Sequence, residues 1–304
     1  MSTNLLQPAS AKSLLIVGCG YLGRRVALLW QNAGNRVAAV TRNAEKAAEL
    51  QRASIEPVLW DIGSLDVGPS LPATDVVLWS VGLDRTSAST RRDVWINGLQ
   101  RVLDRIKTAA APPLFVYCSS TSVYGDHGGD TVDELSDCQP QTESGACCLE
   151  AEQLVRTYGE VTGQRTVILR LAGLYGPDRL LRRLDELRQA VPIAADPDAW
   201  LNLVHVNDAA AIATHVCLAH EPPPLLNVVS SVPVTRRQYY STLAKLTNSP
   251  TPVFEESGLH VSPVSTVRRG SSGNRRVTSR VLNDLGIPTQ FDDTERGLKA
   301  ALDS

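Results

Sequence analysis

The segment that most restricts the fold is short. An apolar run from Ser13 to Val17 leads into Gly18-Cys19-Gly20-Tyr21-Leu22-Gly23, and an amphipathic stretch follows to about Asn32. A buried strand, a glycine-rich turn and a helix in that order form the first unit of a dinucleotide fold. Gly18 permits the tight turn, Gly20 lets a pyrophosphate approach the backbone, and Gly23 lets the helix pack closely on the strand. The helix start then offers N–H groups and the positive end of its dipole to phosphate. Gly18, Cys19, Gly20, Tyr21, Leu22 and Gly23 are therefore candidate cofactor contacts. A glycine turn without a ligand is the alternative.

The rest of the chain continues the pattern. Apolar runs at 36–42, 55–60, 75–81, 113–120 and 165–173 read as strands. Helices are predicted over 43–51 and 91–110, and in the region that holds Ser144-Gly145-Ala146-Cys147-Cys148-Leu149-Glu150-Ala151-Glu152. Near-continuous apolar strands alternating with helices predict a parallel sheet covered on both faces. The fold class is α/β: a Rossmann-type, doubly wound parallel sheet with a small C-terminal substrate-binding lobe. The expected organisation is a flexible tail at 1–12, a Rossmann domain at 13–173, and a smaller lobe at 174–304. Segments at about 204–231 should return to the Rossmann domain. Within 174–304 the sequence predicts helices at 207–219 and 235–247, a strand at 225–230, a loop at 251–273 and two short C-terminal helices.

Composition narrows the function. The chain has 304 residues and a net charge of −2, which gives no electrostatic reason to expect nucleic acid or an anionic membrane as partner. No apolar run approaches the roughly 20 residues that span a bilayer. The tail lacks the basic start and apolar core of a signal peptide. The six cysteines form no CxxC pair and no Cys/His spacing suited to zinc. The expectation is a reduced, cytoplasmic protein without a metal site, acting on a small molecule, with room left for a homodimer.

The second strand bears on which dinucleotide is bound. NAD binders place an acidic residue about 20 residues past the glycines to accept the ribose 2′-hydroxyl. Here Thr41-Arg42 occupies that place. Arg42 can pair with a 2′-phosphate through charge-assisted hydrogen bonds, which favours NADP over NAD; a solvated arginine at a strand end is the alternative. Asp61, ending the third strand, would contact the adenine amino group or cap a turn. Ser80, Val81 and Gly82, at the end of the next strand, complete the candidate cofactor site.

At Phe115-Val116-Tyr117-Cys118-Ser119-Ser120-Thr121-Ser122-Val123-Tyr124-Gly125-Asp126 the chain resembles the extended short-chain dehydrogenase/reductase superfamily, also called the NAD-dependent epimerase/dehydratase family. The stretches 169–177, 202–213 and 225–231 match the same family in the same order. In that family a Ser/Thr polarises the substrate oxygen, a Tyr transfers the proton, and a Lys four residues later lowers the phenol pKa. The resemblance puts Ser120 at the Ser/Thr, Ser144 at the Tyr and Cys148 at the Lys. Losing that pair should disable the family's usual proton transfer, which is typically worth about 10²- to 10⁴-fold. The Ser144, Gly145, Glu150 and Glu152 pattern, together with 274–279, resembles an atypical branch that keeps the glycine motif and lacks the pair.

Substitutes for the lost pair are few. None of the five lysines (Lys12, Lys46, Lys107, Lys245, Lys299) lies in the helix that carries Cys148. Tyr124 either faces the crevice with Ser120 or packs in its loop. Cys148 either acts as a thiol acid or fills the space of the lost lysine. Cys147 should point elsewhere, because helix neighbours do not share a face. Arg170, Tyr175 and His205 are candidates for the substrate cleft, and Asn207-Asp208 for a helix N-cap. The arginine-rich helix near 182–188 and Arg268, Arg269, Arg275 and Arg276 either meet an anionic substrate or form a solvated basic face. Three functions compete: an NADP-dependent oxidoreductase or epimerase-like enzyme, a dinucleotide sensor without catalysis, and a scaffold.

Overall fold

The computed structural model of the protein describes residues 11–83, 88–179, 181–255 and 273–303. Arg268 and Arg269, with most of the 251–273 loop, lie outside them. In chain order the first elements are β1 (Ser13–Val17), α1 (Gly23–Asn32), β2 (Arg36–Thr41), α2 (Ala44–Arg52), β3 (Glu56–Leu59) and β4 (Val76–Trp79). A π-helical turn, Asp93–Gly98, runs into α3 (Leu99–Ile106), then β5 (Leu114–Ser120), a 3₁₀ turn at Thr121–Tyr124, β6 (Thr131–Val132) and α4 (Glu143–Thr162). β7 (Thr166–Leu171), β8 (Gly173–Tyr175), α5 (Leu181–Arg188), β9 (Trp200–Leu201) and β10 (Leu203–His205) follow. The chain ends with α6 (Val206–Leu218), β11 (Leu225–Val228), β12 (Val234–Thr235), α7 (Arg236–Leu246), β13 (Arg276–Val277) and α8 (Thr294–Leu302).

Seven strands form one sheet in the order β11-β7-β5-β4-β1-β2-β3, and every pairing is parallel. The order reverses between β1 and β4, so their carboxyl ends open a crevice, the place where such sheets bind ligands. The apolar strands are buried on both faces. One face meets α1 and α6 through Leu14, Ile16, Val26, Trp30 and Ile212, the other meets α3 and α4 through Leu15, Val17, Leu99, Val102 and Val155. In α1 the buried residues Gly23, Val26, Ala27 and Trp30 fall at i, i+3, i+4 and i+7, one stripe on the helix. A separate cluster gathers Tyr175, Leu184, Leu187, Tyr239, Tyr240, Leu243 and Leu298.

Several expectations need correction. The run at 165–173 is two strands: Ala172 donates to Val228 O, and the chain then leaves the main sheet to pair β8 with β10. The helix expected from 91 contains a π-helical turn over Asp93–Gly98, whose wider i→i+5 bonding accommodates an extra residue. Of the two C-terminal helices only α8 forms; turns occupy 280–286. The N-cap of α6 is His205, whose Nδ1 accepts from Asn207 N at 3.3 Å. Asp208 instead accepts from Gln290 N (2.8 Å) and Phe291 N (2.9 Å), holding the C-terminal segment against the helix start. The β6–β13 pairing, Thr131 with Arg276 and Val132 with Val277, had no signal in the sequence. Among the described residues no helix is long and apolar enough to cross a membrane.

Candidate functional site

A cleft of about 700 Å³ opens at the carboxyl ends of β1, β2, β4 and β5. At its centre is the glycine loop, and each glycine has a measurable reason. Gly18 has φ +94°, and a Cβ there would lie 2.7 Å from the backbone of Ser80 and Val81. Ser80 Oγ fixes the turn by donating to Gly18 O at 2.9 Å. A Cβ on Gly23 would lie 2.7 Å from Gly18 O and 3.1 Å from Ile16 Cγ2, so only glycine lets α1 sit this close to β1. A Cβ on Gly20 would meet nothing within 4 Å. Gly20 borders the cleft, and its bare backbone leaves open the approach that a pyrophosphate requires. Leu22, at the N-cap of α1, supplies no side-chain acceptor, and no acidic residue occupies the first turn. Tyr21 N and Leu22 N find no acceptor among the described residues. These donors and the α1 dipole fit a bound anion.

One end of the cleft is cationic. Thr41 and Arg42 follow from β2, and Asn43 caps α2 by accepting from Glu45 N (2.7 Å) and Lys46 N (3.3 Å). Arg24, Arg42 and Lys46 all border this end, beside Trp60, Asp61 and Ile62. Burial pushes the Cys19 thiol up to about 11, while the charges of Arg24 and Lys46 pull it the other way. Asp61 Oδ1 accepts from Gly63 N at 3.0 Å, so this carboxylate caps a turn while bordering the cleft.

The other end is neutral. Ser80, Val81 and Gly82 lead to Trp95, Tyr117, Cys118, Ser119, Ser120, Cys148, Leu171 and Leu174. Ser120 Oγ accepts from Ser122 N at 3.1 Å, capping the 3₁₀ turn and keeping its own proton available. Cys148 is buried in this wall beside the Tyr117 hydroxyl. Burial pushes the Cys148 thiol up to about 12, with Glu152 adding to the effect. Burial likewise holds the Tyr117 phenol well above its usual range. Both groups stay protonated at neutral pH. Cys147 belongs to the hydrophobic cluster with Phe115 and Val155. Ser144 is half-buried in the first turn of α4 and does not border the cleft.

Tyr117 was not anticipated from the sequence, although a signal exists. Alternation along β5 puts Tyr117 and Ser119 on one face of the sheet, and the i, i+4 pair Cys148 and Glu152 lies on one face of α4. The two pairs meet rung by rung: Tyr117 on Cys148, and Ser119 Oγ on Glu152 Oε1 at 2.7 Å. The helix approaches because Gly145 lacks a side chain; a Cβ there would lie 2.7 Å from Ser122 O.

Four expected site residues lie away from the cleft wall. Tyr124 is fully buried, donating to Asn227 Oδ1 at 2.8 Å and accepting from Arg170 Nη1 at 3.0 Å. Arg170 is buried in a two-point ion pair with Glu152 (2.8 and 3.0 Å) that ties β7 to α4. Tyr175 and His205 stack edge to face with centroids 5.2 Å apart, beneath the turn that follows β8. Arg275 is also internal, donating to Gly125 O at 2.7 Å. Arg276 lies over the Trp200 ring.

A parallel sheet in Rossmann order and a glycine loop at its switch point define a protein of the Rossmann dinucleotide-fold class. The sequence profile of the NAD dependent epimerase/dehydratase family matches residues 14–228, and the chain belongs to that family. It is 28% identical over 295 residues to Protein YeeZ of Escherichia coli (strain K12), covering 93% of this chain and 97% of that protein. Among solved structures it is similar to a functionally unknown conserved protein from Silicibacter pomeroyi DSS. The TM-score is 0.79 at 26% identity, over 96% of this chain and 99% of that one. The fold is also that of UDP-glucuronic acid 4-epimerase from Bacillus cereus, whose structure contains NAD. There the TM-score is 0.76 at 19% identity, over 96% of this chain and 97% of that one.

Proposed function

We propose that the protein is an NADP(H)-dependent oxidoreductase or epimerase-like enzyme that acts on a small polar substrate through a non-standard site. The observation that carries the cofactor preference is the pair of cations Arg42 and Lys46 at the end of the cleft next to β2, beside Arg24, which is itself paired with Glu49 at 2.6 Å. An acidic residue at the end of β2 would repel a 2′-phosphate; Arg42 instead places a guanidinium at that end. A bound nicotinamide cofactor supplies or accepts a hydride.

This chain's own residues do the remaining work. Ser120 presents a hydroxyl to the substrate oxygen at the neutral end. Tyr117 and Cys148 remain protonated there, so they serve as hydrogen-bond donors, not as bases. That arrangement suits the reductive direction, in which a substrate oxygen gains a proton. The buried cluster around Tyr175, Leu184 and Leu243 belongs to a C-terminal substrate lobe in this account. The kinship with a nucleotide-sugar epimerase supports a polar substrate.

A second reading, a dinucleotide sensor without turnover, is favoured by one observation: where the family has its Tyr and Lys, this chain has a half-buried serine off the cleft and a neutral thiol. The two readings separate in one experiment. Purified protein is assayed by mass spectrometry for co-purifying dinucleotide and small molecule, and that molecule's class is screened for NADPH consumption. The enzyme reading expects turnover that falls by about 10²-fold or more in Ser120→Ala with NADPH affinity unchanged. NADPH binding without turnover across the screen supports the sensor.

A further inference from the structure

The turn after β8 brings a cation to the mouth of the cleft. Gly176 has φ +142° and Asp178 φ +66°, the second a left-handed conformation that Asp tolerates better than most side chains. These residues fold Pro177 and Arg179 back onto the glycine loop. Tyr21 Oη donates to Pro177 O at 2.8 Å. The Arg179 guanidinium lies 4.2 Å from the centroid of the Tyr21 ring. Gly176 permits the contact, since a Cβ there would lie 3.0 Å from Tyr21 Oη.

A second arginine on the same ring shows what is distinctive about the first. Arg25 lies 4.5 Å from the Tyr21 centroid, but it is tied by its Nη1 to Tyr21 O (2.7 Å) and by its Nε to Asn207 Oδ1 (3.0 Å). The Arg179 side chain is exposed, borders the cleft beside Gly20 and Tyr21, and makes no hydrogen bond or ion pair among the described residues. A guanidinium held over an aromatic ring without a hydrogen-bond partner keeps its N–H donors for an anion. Tyr21 and Leu22, whose amides have no acceptor among the described residues, border the same cleft.

We propose that Arg179 is a phosphate clamp, pairing through its fork with the pyrophosphate of a dinucleotide held at the glycine loop. The proposal rests on the dinucleotide reading of the cleft. It makes the turn at residues 176–179 part of the cofactor site, joined to the loop through Tyr21. Two ligands share this chemistry, the pyrophosphate of the cofactor and a phosphate on a substrate, and the probes below distinguish them.

The test is calorimetric titration of the full chain with ADP-ribose, which has the pyrophosphate but no 2′-phosphate, and with adenosine 2′-phosphate, which lacks the pyrophosphate. Arg179→Ala should weaken ADP-ribose, NADPH and NADH by one common factor of about ten- to a hundredfold. Adenosine 2′-phosphate affinity should be unchanged, as should the ligand-free melting temperature, because the side chain is exposed. Arg179→Lys should recover only part of the loss, since an ammonium lacks the planar fork. ADP-ribose binding equally well to Arg179→Ala and wild type overturns the clamp and leaves the dinucleotide reading standing; that outcome with a loss confined to a phosphorylated substrate assigns Arg179 to the substrate. Wild-type protein that binds neither NADPH nor ADP-ribose overturns both.

Discussion

Single atoms separate binding from stability in the glycine loop. A Cβ on Gly20 would meet no protein atom, whereas one on Gly18 would strike the Ser80–Val81 backbone from a positive φ. Gly20→Val should therefore leave unfolding free energy within about 0.5 kcal/mol of wild type while abolishing NADPH binding. Gly18→Ala should lose binding and about 1–3 kcal/mol of stability. Paired denaturation and titration curves check both. The Glu152–Arg170 pair makes a different demand. Both side chains are buried, and Glu152 also accepts from Ser119. Glu152→Gln leaves a guanidinium uncompensated and should cost about 3–5 kcal/mol in urea unfolding. Glu152→Leu with Arg170→Met should recover most of that, because replacing both partners removes the buried charge. Glycine roles were legible from the motif, since backbone requirements travel with residue identity. The fate of Arg170 was not: an arginine in a strand looks the same whether it faces a cleft or a glutamate 18 positions earlier.

At the scale of elements, the strands of the main sheet were readable because apolar runs reflect burial directly. Boundaries set by a single hydrogen bond, such as the break at Ala172, left no mark. The start of α6 is the instructive case. Asn207 and Asp208 have the composition of a cap, yet His205 caps the helix and Asp208 serves a distant segment. His205 is 1% exposed, packed between Tyr175 and Phe291, with Arg25 the nearby cation. Burial first, and Arg25 second, lower its pKa from 6.5 to about 4. The unfolded chain then binds a proton that the folded chain refuses between those values, so stability falls as pH falls through this window. The loss should total about 3 kcal/mol, with about 2 kcal/mol of it between pH 7 and 5. Asp208, whose carboxyl burial raises above its usual range, works in the opposite sense at lower pH, so the histidine signature is cleanest above about pH 5. His205→Asn keeps a capping acceptor and should flatten the slope; an unchanged slope would assign it to other groups.

For the whole molecule, the cleft is the meeting point of sequence segments far apart. The glycine loop, the end of β2, the Tyr117–Cys148 rung and Arg179 reach it from residues 18 to 179. Cofactor bound only by the folded chain must stabilise it as a unit, by about 2.7 kcal/mol at a ligand concentration 100 times Kd. The central claim is that this cleft selects NADP through the cations at the end of β2. Calorimetric titration of wild-type protein with NADPH and NADH, at one salt concentration, tests it most directly. NADPH should bind tighter by about tenfold or more, and the preference should reverse in Arg42→Asp. Superimposable curves for the two cofactors in wild type, or tighter NADH, would contradict it.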